Sequence, residues 1–301
     1  MTESPATRCG FVAVLGAPNV GKSTLVNLIV GSKVSIVSPK VQTTRNRIRG
    51  IFIKDSVQVV FVDTPGIFEP KRKLDRAMVS AAWQGAGDAD AIVLLVDSVK
   101  GVDDETARIV TRLQERNMKV IGVINKIDLV AKPALLKIAE KMTASGCFSE
   151  IFMISAQTGD GVGDLVDTLT GLMPESPWLY PEDEIADTPL KVWAAEITRE
   201  QLYLQLHQEL PYAATVETES LTEKGNTSIE INQVIYVERP GHKGIVLGAK
   251  GSRIKLIGSR ARAELEKLLE RRVHLMLFVK VRKNWAEDPE LFKSWDLDPN
   301  A

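Results

Sequence analysis

Short apolar runs alternate with helical stretches along the chain up to about residue 172. The runs are rich in β-branched residues and hold almost no polar position, which is typical of parallel strands buried on both faces. They cover Phe11–Leu15, Val57–Val62, Ala91–Val96, Val120–Ile124 and Ile151–Ile154. Strands and helices in this alternation predict an α/β fold with a doubly wound, mostly parallel sheet.

The pattern changes after a proline-rich stretch. Prolines at four positions between residues 173 and 189 predict a linker there. Beyond it the order is helix Ala194–Leu210, strands Thr215–Glu219 and Ile229–Val237, two helical stretches of which the second is Ser252–Arg271, and strand Val273–Val281. This order predicts a small α+β domain. We therefore expect one domain over residues 1–173, a linker over 174–189 and a smaller domain over 190–301 that ends in an acidic tail.

Length and composition limit the class of protein. A chain of 301 residues suits two domains of ordinary size. Its two cysteines, Cys9 and Cys147, lack the spacing of a zinc site or a disulfide framework, so a reducing cytoplasm is the expected setting. No apolar run approaches the ~18 residues that a membrane span needs. The first ten residues also lack the apolar core of a signal peptide.

Charge is distributed unevenly along the chain. Between Arg239 and Lys283 there are 13 Lys and Arg against 3 Glu, a balance of +10. The rest of the chain carries 25 basic and 36 acidic residues, a balance of −11. A basic segment on an otherwise acidic protein indicates a surface for a polyanion, although a solvated helix face would have the same charge.

A glycine-rich motif follows the first predicted strand directly. The segment GAPNVGKS fits the phosphate-binding pattern GxxxxGKS and opens a helix at Thr24. Its backbone amides and the helix N-terminus supply partial positive charge to phosphates, Lys22 reaches the β- and γ-phosphates, and the Ser23 hydroxyl ligates Mg²⁺. The expected nucleotide contacts here are Gly16, Ala17, Pro18, Asn19, Val20, Gly21, Lys22, Ser23 and Thr24.

A second motif specifies the base and follows the strand Val120–Ile124. It consists of Asn125, Lys126, Ile127 and Asp128. The Asp128 carboxylate accepts hydrogen bonds from N1–H and the exocyclic amine of guanine, whereas adenine lacks that amine and leaves the carboxylate unpaired. The motif therefore favours GTP over ATP. Taken alone, four such residues also fit an ordinary polar turn.

Polar residues follow two further predicted strands. One strand leads into Asp63, Thr64, Pro65, Gly66 and Ile67, and the other leads into Ser155 and Ala156. We expect Asp63 to hold Mg²⁺ through water and the Gly66 amide to sense the γ-phosphate. A backbone amide of the Ser155–Ala156 pair is expected to reach the guanine O6. All of these residues are expected contacts of GTP.

A threonine upstream of Asp63 would complete the metal shell. The polar stretch QTTR contains both Thr43 and Thr44, and we favour Thr44. The expected metal ligands are then Ser23, Thr44 and Asp63. A plain loop is the alternative for this stretch by itself. The four motifs nevertheless fall in order at the carboxyl ends of predicted strands, where ligands bind in open α/β sheets.

Another glycine motif, GxxG, lies inside the basic segment. Glycines without side chains let a sugar-phosphate backbone approach closely, and a GxxG loop of this kind clamps about four nucleotides. Lysines and arginines around it neutralise phosphates, and Val246 and Ile254 are expected to floor a groove for splayed bases. A helix–turn–helix corner is the alternative interpretation. The expected RNA contacts are Gly248, Ala249, Lys250, Gly251, Arg253, Ile254 and Lys255.

The first part of the chain resembles the translation-factor-like P-loop GTPases. The order of elements in the second part matches a KH domain that begins with two strands. Together, a GTPase domain and a C-terminal KH domain resemble the bacterial Era GTPases, over almost the whole chain. The segments GAPNVGKSTLVN, KVQTTRNRIRGI, DTPGI, NKID, PWLYPED and VLGAKGSRIKLIG carry this resemblance.

The resemblance implies both a fold and a function. The fold is a P-loop GTPase domain followed by a smaller KH domain. The function is Mg²⁺-dependent hydrolysis of GTP to GDP and phosphate, which we expect to be slow, coupled to binding of small-subunit ribosomal RNA near its 3′ end and to maturation of the small ribosomal subunit. The resemblance also implies a peripheral fraction at the cytoplasmic face of the cell membrane. We expect a monomer.

The residue that usually positions the attacking water is absent from this sequence. A Gln follows DxxG in Ras-like GTPases, but here Ile67 occupies that place. Asn19 matches the asparagine that family relatives use to help hold K⁺ beside the phosphates, although its alternative role is to shape the loop. Such an ion would neutralise charge on the bridging oxygen. Arg45, or a group from bound RNA or protein, is the other candidate charge. The expected catalytic residues are Lys22, Thr44, Gly66 and Asn19.

Three functions are compatible with these motifs. The first is a GTP-driven switch that controls an RNA-binding domain. The second is an RNA-binding assembly factor whose GTP site only stabilises the fold, and the complete set of phosphate and metal motifs favours the first over it. The third is a GTPase whose partner is a membrane, with the basic segment facing anionic lipid. The third is disfavoured because the basic residues centre on GxxG and not on a face opposite Trp, Phe and Leu.

Overall fold

The computed structural model describes residues 7–206, 210–225, 227–298 and 300, and the chain divides into two compact units. The first unit comprises Met1–Ser35, Thr44–Asp187 and Trp295–Ala301. The second comprises Ile36–Thr43 and Thr188–Ser294. Among the described residues, no helix has the length and apolar character to cross a membrane.

The first unit is built on a six-stranded sheet in the order β2-β3-β1-β4-β5-β6. Its strands are β1 (Arg8–Gly16), β2 (Ile48–Lys54), β3 (Val57–Asp63), β4 (Ala91–Asp97), β5 (Val120–Asn125) and β6 (Phe148–Met153). All neighbouring pairs are parallel except β2 and β3. The predicted doubly wound, mostly parallel sheet is confirmed. Because β1 lies between β3 and β4, its carboxyl end opens at a switch in strand order, where ligands bind in such sheets.

Two strands of this sheet differ from the sequence prediction. Strand β2 was missed, and it pairs antiparallel with β3 through a tight turn in which Asp55 has a φ of 54°. Strand β6 covers Phe148–Met153, where an apolar run over Ile151–Ile154 was predicted to be buried on both faces. It is an edge strand with Ser149 and Glu150 exposed, so one end is only partly covered.

Helices cover the sheet of the first unit. They are α1 (Lys22–Val30), α2 (Lys73–Gly87), α3 (Asp104–Glu115), α4 (Lys132–Ala144) and α5 (Val162–Leu172). The largest apolar core cluster includes fully buried residues of β1 and β4, such as Val14 and Leu94. This core holds the carboxyl ends of the strands in fixed positions, and the polar motifs stand on them.

The proline-rich stretch lies along the edge of the first sheet as far as Asp187. The Ile51 amide donates to the carbonyl of Ile185 at 2.9 Å. Gln58 Nε2 donates to the carbonyl of Tyr180 at 2.8 Å, and Trp178 Nε1 donates to the carbonyl of Ser56 at 3.1 Å. The prolines exclude regular structure, but the backbone is held by β2, β3 and the turn between them.

The second unit has the predicted order of helix, two strands, two helices and strand. Its elements are α6 (Leu190–Gln205), β7 (Ala214–Lys224), β8 (Ser228–Val237), α7 (Pro240–Leu247), α8 (Ser252–Leu269), β9 (Arg272–Val281) and α9 (Pro289–Ser294). In the sheet, β8 pairs antiparallel with β7 and parallel with β9. Helix α6 starts earlier than predicted and ends at Gln205, and Leu210, its predicted last residue, begins a separate short 3₁₀ helix. The predicted helical positions 207–209 lie outside the described residues.

The acidic tail, which is the part of the chain from Trp285 onwards, contributes buried side chains. Trp285 and Phe292 are both 0% exposed, and the Trp285 Nε1 donates to the carbonyl of Ala213 at 3.1 Å. After Ser294 the chain belongs to the first unit, in which Trp295 and Leu297 are buried. The tail therefore has a packing role that its charge did not indicate.

Candidate nucleotide-binding and nucleic-acid-binding sites

The phosphate-binding loop joins β1 to α1. Gly21 precedes the helix with a φ of 101°, and a Cβ atom on it would lie 2.3 Å from Asn125 Nδ2. Only glycine fits both that backbone angle and that contact. The helix begins at Lys22, two residues before the predicted start at Thr24.

Lys22 lies at the centre of this loop and is buried. Its Nζ donates to the carbonyl oxygens of Gly16 at 3.2 Å and Ala17 at 3.1 Å. Burial lowers the pKa of the amine to about 8, against the opposing effect of the Asp63 carboxylate. The loop thus holds the lysine by its own carbonyls at the place where the phosphate pattern predicts it.

The three predicted metal ligands meet at one point. The Ser23 hydroxyl donates to Asp63 Oδ2 at 2.7 Å and lies 3.0 Å from the Thr44 hydroxyl. Thr44 Oγ1 also donates to Asp63 Oδ2, at 3.3 Å. Within the described part of the chain, the buried Asp63 Oδ1 has no hydrogen-bond partner. Two hydroxyls and a carboxylate are hard oxygen donors of the kind that Mg²⁺ prefers, so these residues fit that ion.

Burial raises the pKa of the Asp63 carboxyl, while Lys22 acts in the opposite direction. Thr43, the alternative ligand, is engaged elsewhere. Its hydroxyl donates to the carbonyl of Lys40 at 2.7 Å and lies 2.7 Å from Ser38 Oγ. The geometry therefore favours Thr44 over Thr43 at the cluster of oxygens.

The segment after Asp63 lies directly on the phosphate-binding loop. Thr64 Oγ1 donates to the carbonyl of Val14 at 2.7 Å, and the Ile67 amide donates to the carbonyl of Gly16 at 3.1 Å. A Cβ on Gly66 would come within 3.1 Å of Pro18, so a larger residue would push the two loops apart. Ile67 is 6% exposed, and its side chain packs in the core.

The base motif ties neighbouring loops to the phosphate-binding loop. Asn125 Nδ2 donates to the carbonyl of Val20 at 2.8 Å, and Asn125 Oδ1 accepts from the Ala156 amide at 2.9 Å. Lys126 Nζ donates to the carbonyl of Asn19 at 2.8 Å. Asp128 is exposed at the end of this motif. Asn125 and Lys126 thus hold the loops together, and the Asp128 carboxylate is left accessible.

Asp97 is a residue of this site that sequence reasoning missed. It ends β4, and its Oδ2 accepts from Lys126 Nζ at 2.6 Å, which fixes the lysine beside the loop. Its position immediately after the predicted strand Ala91–Val96 was the available signal, because polar residues at the carboxyl ends of parallel strands meet at one edge.

The predicted contact from Ser155 and Ala156 to a guanine O6 stays a prediction. The Ser155 amide donates to the carbonyl of Asp160 at 2.9 Å, and the Ala156 amide donates to Asn125 Oδ1. An oxygen of the base would have to share one of these donors.

Asn19, which would bring a positive charge by holding K⁺, and Arg45, which would bring its own, lie in different surroundings. Asn19 is exposed on the phosphate-binding loop and has a φ of 64°, a left-handed conformation that asparagine tolerates better than most residues. Arg45 is 1% exposed, and its guanidinium carbon lies 5.7 Å from the ring centre of Trp295. Arg45 is therefore packed against the tail, which makes it the weaker candidate.

The GxxG loop joins α7 to α8 in the second unit. Gly248 has a φ of 72°, and a Cβ on it would lie 2.8 Å from Arg253 Cβ and 2.9 Å from the Arg253 amide nitrogen. Gly251 has a φ of 76° but faces open space. Lys250, between them, is exposed with a φ of 51°. The two glycines therefore differ: the first is required by packing and the second leaves the surface of the loop open.

Several residues around this loop differ from the prediction. Val246 is 0% exposed and belongs to the core, so it does not floor a groove; that expectation was wrong. Ile245 at 47% on α7 and Leu256 at 40% on α8 are exposed apolar residues on either side of the loop. Arg253 is half-buried, and its Nη1 donates to the carbonyl of Ile245 at 2.6 Å. Of the three basic residues that were predicted to contact RNA, Lys250 and Lys255 are exposed.

The fold and the two sites define a P-loop GTPase with a C-terminal KH domain. The family model of the 50S ribosome-binding GTPases matches residues 11–126, and the KH domain model matches residues 209–286. GTPase Era of Afipia carboxidovorans is 56% identical over 98% of this chain and 96% of its own length. GTPase Era of Brucella suis is 54% identical over 99% of this chain and 96% of its own length.

Solved structures of Era are also similar to this chain over almost its whole length. Era in complex with MgGDPNP and nucleotides 1506–1542 of 16S ribosomal RNA has a TM-score of 0.91 and 40% identity, over 96% of this chain and 98% of that one. A variant of Aquifex aeolicus Era bound to GDP and AlF4⁻ has a TM-score of 0.91 and 39% identity, over 96% and 99%. The chain belongs to the GTPase Era family.

Proposed function

We propose that this chain is a GTP-hydrolysing switch that binds small-subunit ribosomal RNA near its 3′ end and assists maturation of the small ribosomal subunit. Residues 1–173 bind GTP, the domain that begins at residue 190 binds RNA, and the stretch 174–189 connects the two. The observation that carries the proposal is the meeting of Ser23, Thr44 and Asp63 beside Lys22. A site that only stabilised the fold would not need a threonine from a separate loop, whereas a switch uses such a loop to sense the γ-phosphate.

Ser23, Thr44 and Asp63 would hold Mg²⁺, which neutralises charge on the β- and γ-phosphate oxygens when it is bound. Lys22 adds a positive charge on the same phosphates, and the Gly66 amide contacts the γ-phosphate. Asp128 selects guanine. These roles follow from the position of each residue at the carboxyl edge of the sheet.

Support for the RNA partner comes from the loop Gly248–Gly251 and the exposed Lys250 and Lys255. The related Era structure that is complexed with nucleotides 1506–1542 of 16S ribosomal RNA has the same fold over 96% of this chain. From the resemblance to the Era GTPases we propose that the protein acts as a monomer on the small ribosomal subunit, with a fraction at the cytoplasmic face of the membrane. Binding to RNA and to anionic vesicles at matched salt separates these two partners.

Single-turnover hydrolysis of GTP tests the enzymatic part of this proposal. With enzyme in excess and Mg²⁺ present, the protein should hydrolyse GTP slowly, and Lys22→Ala should lower that rate by about 10²-fold because it removes a charge from the transition state. Lys119→Ala is a matched control, since Lys119 Nζ also donates to a backbone carbonyl, that of Gly146 at 2.9 Å, but on the surface. Equal rates in the wild type and Lys22→Ala would leave the fold-stabilising alternative standing.

We further propose that K⁺ activates hydrolysis beside Asn19. The exposed side chain on the phosphate-binding loop supports this role, although the left-handed backbone of Asn19 also supports a purely loop-shaping one. Hydrolysis should be faster in K⁺ than in Na⁺ at equal ionic strength, and Asn19→Ala should erase the difference with little change in GTP affinity. Identical rates in the two salts for the unmodified protein would exclude the cation and favour a group supplied by a partner.

A further inference from the structure

Asn27 on α1 holds the chain where it turns back after that helix. The turn is made at Gly31, which has a φ of 76° and whose amide donates to the carbonyl of Asn27 at 3.0 Å. Asn27 Oδ1 then accepts from the amides of Val34 and Ser35, both at 2.9 Å, and its Nδ2 donates to the carbonyl of Ser35 at 2.7 Å. The amide and the carbonyl of Ser35 are therefore both fixed by one side chain of α1.

These bonds place Ser35 beside the oxygen cluster, which consists of Ser23, Thr44 and Asp63. Ser23 precedes Asn27 by four residues, so both side chains leave the same face of α1. Ser23 Oγ donates to Asp63 Oδ2 at 2.7 Å. Burial raises the pKa of the Asp63 carboxyl, and the Ser35 hydroxyl is close enough to be among the groups that lower it. Ser35 thus adds a hydroxyl to the surroundings of this carboxylate.

Two buried oxygen atoms at this place have no partner. Ser35 is 1% exposed and Asp63 is 0% exposed. Within the described residues, neither Ser35 Oγ nor Asp63 Oδ1 makes a hydrogen bond. Leaving a buried hydroxyl or carboxylate oxygen unbonded costs free energy, and native proteins pair nearly all such atoms with protein groups or with ordered water. The two atoms therefore indicate a bound group that both of them contact.

The two oxygens of the Asp63 carboxylate differ in what they can still accept. Oδ2 already accepts from the hydroxyls of Ser23 and Thr44, at 2.7 and 3.3 Å. Oδ1 is left for a further donor. Mg²⁺ in proteins usually keeps several waters. Such a water uses a lone pair for the ion and has two hydrogens to donate, so it needs two acceptors, and Asp63 Oδ1 and Ser35 Oγ match that need in number and kind.

We propose that Ser35 is a positioning residue of the Mg²⁺ site, whose hydroxyl accepts one hydrogen of a water in the Mg²⁺ shell while Asp63 Oδ1 accepts the other. Ser35 touches neither the ion nor the nucleotide and acts by orienting that water. The inference rests on the proposed function, since it adds a residue to the metal site proposed there. Outer partners of this kind typically contribute 10–100-fold to metal affinity.

A purely structural role for Ser35 leads to the opposite expectation. All three bonds from Asn27 reach backbone atoms of Val34 and Ser35, so the loop does not need the Ser35 hydroxyl. Removing a buried hydroxyl that has no partner is neutral or stabilising, because its desolvation cost disappears with it. Loss of the hydroxyl should therefore do harm only when Mg²⁺ is present.

Ser35→Ala tests the proposal. With a non-hydrolysable GTP analogue, the Mg²⁺ concentration for half-maximal binding should rise about tenfold. The affinity for the analogue in EDTA should stay unchanged. Mn²⁺ in place of Mg²⁺ measures the metal directly, because electron paramagnetic resonance detects the free ion. The melting temperature should fall relative to the unmodified protein with Mg²⁺ and analogue, and should not fall in EDTA.

Ser145→Ala is the control for loss of a serine hydroxyl elsewhere in the same unit. Ser145 follows α4, and its Oγ donates to the carbonyl of Met142 at 2.6 Å. This variant should leave the half-saturating Mg²⁺ concentration unchanged. Any change in its melting temperature should be equal with Mg²⁺ and with EDTA.

Two results would overturn the positioning role of Ser35. One is an unchanged half-saturating concentration of Mg²⁺ and Mn²⁺ in Ser35→Ala. The other is a melting temperature that falls equally with Mg²⁺ and in EDTA, or a variant that does not fold in EDTA, since either would give the hydroxyl a structural role. Failure of the proposed function is a separate outcome. It would be visible in the unmodified protein as an affinity for the GTP analogue that does not respond to Mg²⁺.

Discussion

The residues of the base motif differ in their burial and in their contacts. Asn125 is 1% exposed and bonds to Val20 and Ala156, so it holds two loops together. Lys126 does the same for Asn19 and Asp97. Asp128 is exposed. Substitution of Asn125 would therefore disturb the loops themselves, whereas substitution of Asp128, for which we propose recognition of the base, should leave the loops in place.

Asp128→Asn should exchange guanine for xanthine specificity. The amide donates where the carboxylate accepted, and xanthine has a carbonyl at that place. GTP affinity should fall about a hundredfold, because each hydrogen bond to a charged group contributes about 1.5–3 kcal/mol. Competition binding with GTP and xanthosine triphosphate measures the change. Asp160→Asn, on an exposed carboxylate of a nearby loop, should leave the preference unchanged. Retained preference for GTP in Asp128→Asn would refute the guanine assignment.

At the scale of elements, the loop between α7 and α8 combines a packed glycine with an open one. A side chain on Gly248 would strike the backbone of Arg253, so substitution there would alter the helix corner itself. A side chain on Gly251 would meet nothing within 4 Å. Gly251 is therefore the position at which RNA approach can be blocked with the least change to the fold.

Gly251→Asp should abolish RNA binding and leave GTP binding nearly intact. The new carboxylate fills the open side of the loop and repels phosphate, and aspartate tolerates a left-handed φ better than most residues. Lys250→Ala should weaken binding to all sequences alike and lower the slope of log affinity against log salt by about one. Gly163→Asp adds the same carboxylate to an open position on α5 and is the control. Undiminished RNA affinity in Gly251→Asp, with the melting temperature preserved, would contradict the proposal that this loop binds RNA.

Element prediction from the sequence succeeded where strands were apolar throughout. Strand β2 was missed because its run IRGIFIK is interrupted by Arg49 and Gly50 and follows a polar stretch. Arg49 is tolerated there because it pairs with Asp187 at 2.8 Å, a residue far away in sequence. Val246 was misplaced because a short helix with few apolar residues does not show which of them is buried.

At the scale of the whole molecule, sequence motifs predicted the nucleotide site but not the buried charges on α6. The glycine and polar motifs are local, so their order along the chain predicted the residues that meet at the edge of the sheet. Glu196, Arg199 and Glu200 are charged residues on a helix, a pattern that normally indicates a solvated face. Glu196 and Arg199 pair with each other on α6. Arg199 also donates a hydrogen bond to the segment Ile36–Thr43, and Glu200 accepts one from it, more than 150 positions away. Only the folded chain brings these residues together.

Control of RNA binding by the nucleotide is tested by measuring the RNA affinity of the protein in three nucleotide states. The affinity of the full chain for a small-subunit RNA 3′-end fragment should differ between the GDP and GTP-analogue states by at least about fivefold, the lower end of typical coupling between sites. By linkage, the same RNA must change the affinity for the GTP analogue, relative to GDP, by the same factor. Equal RNA affinity in the nucleotide-free, GDP and GTP-analogue states would contradict control of RNA binding by the nucleotide. The protein would then be an RNA-binding protein whose nucleotide only stabilises its fold.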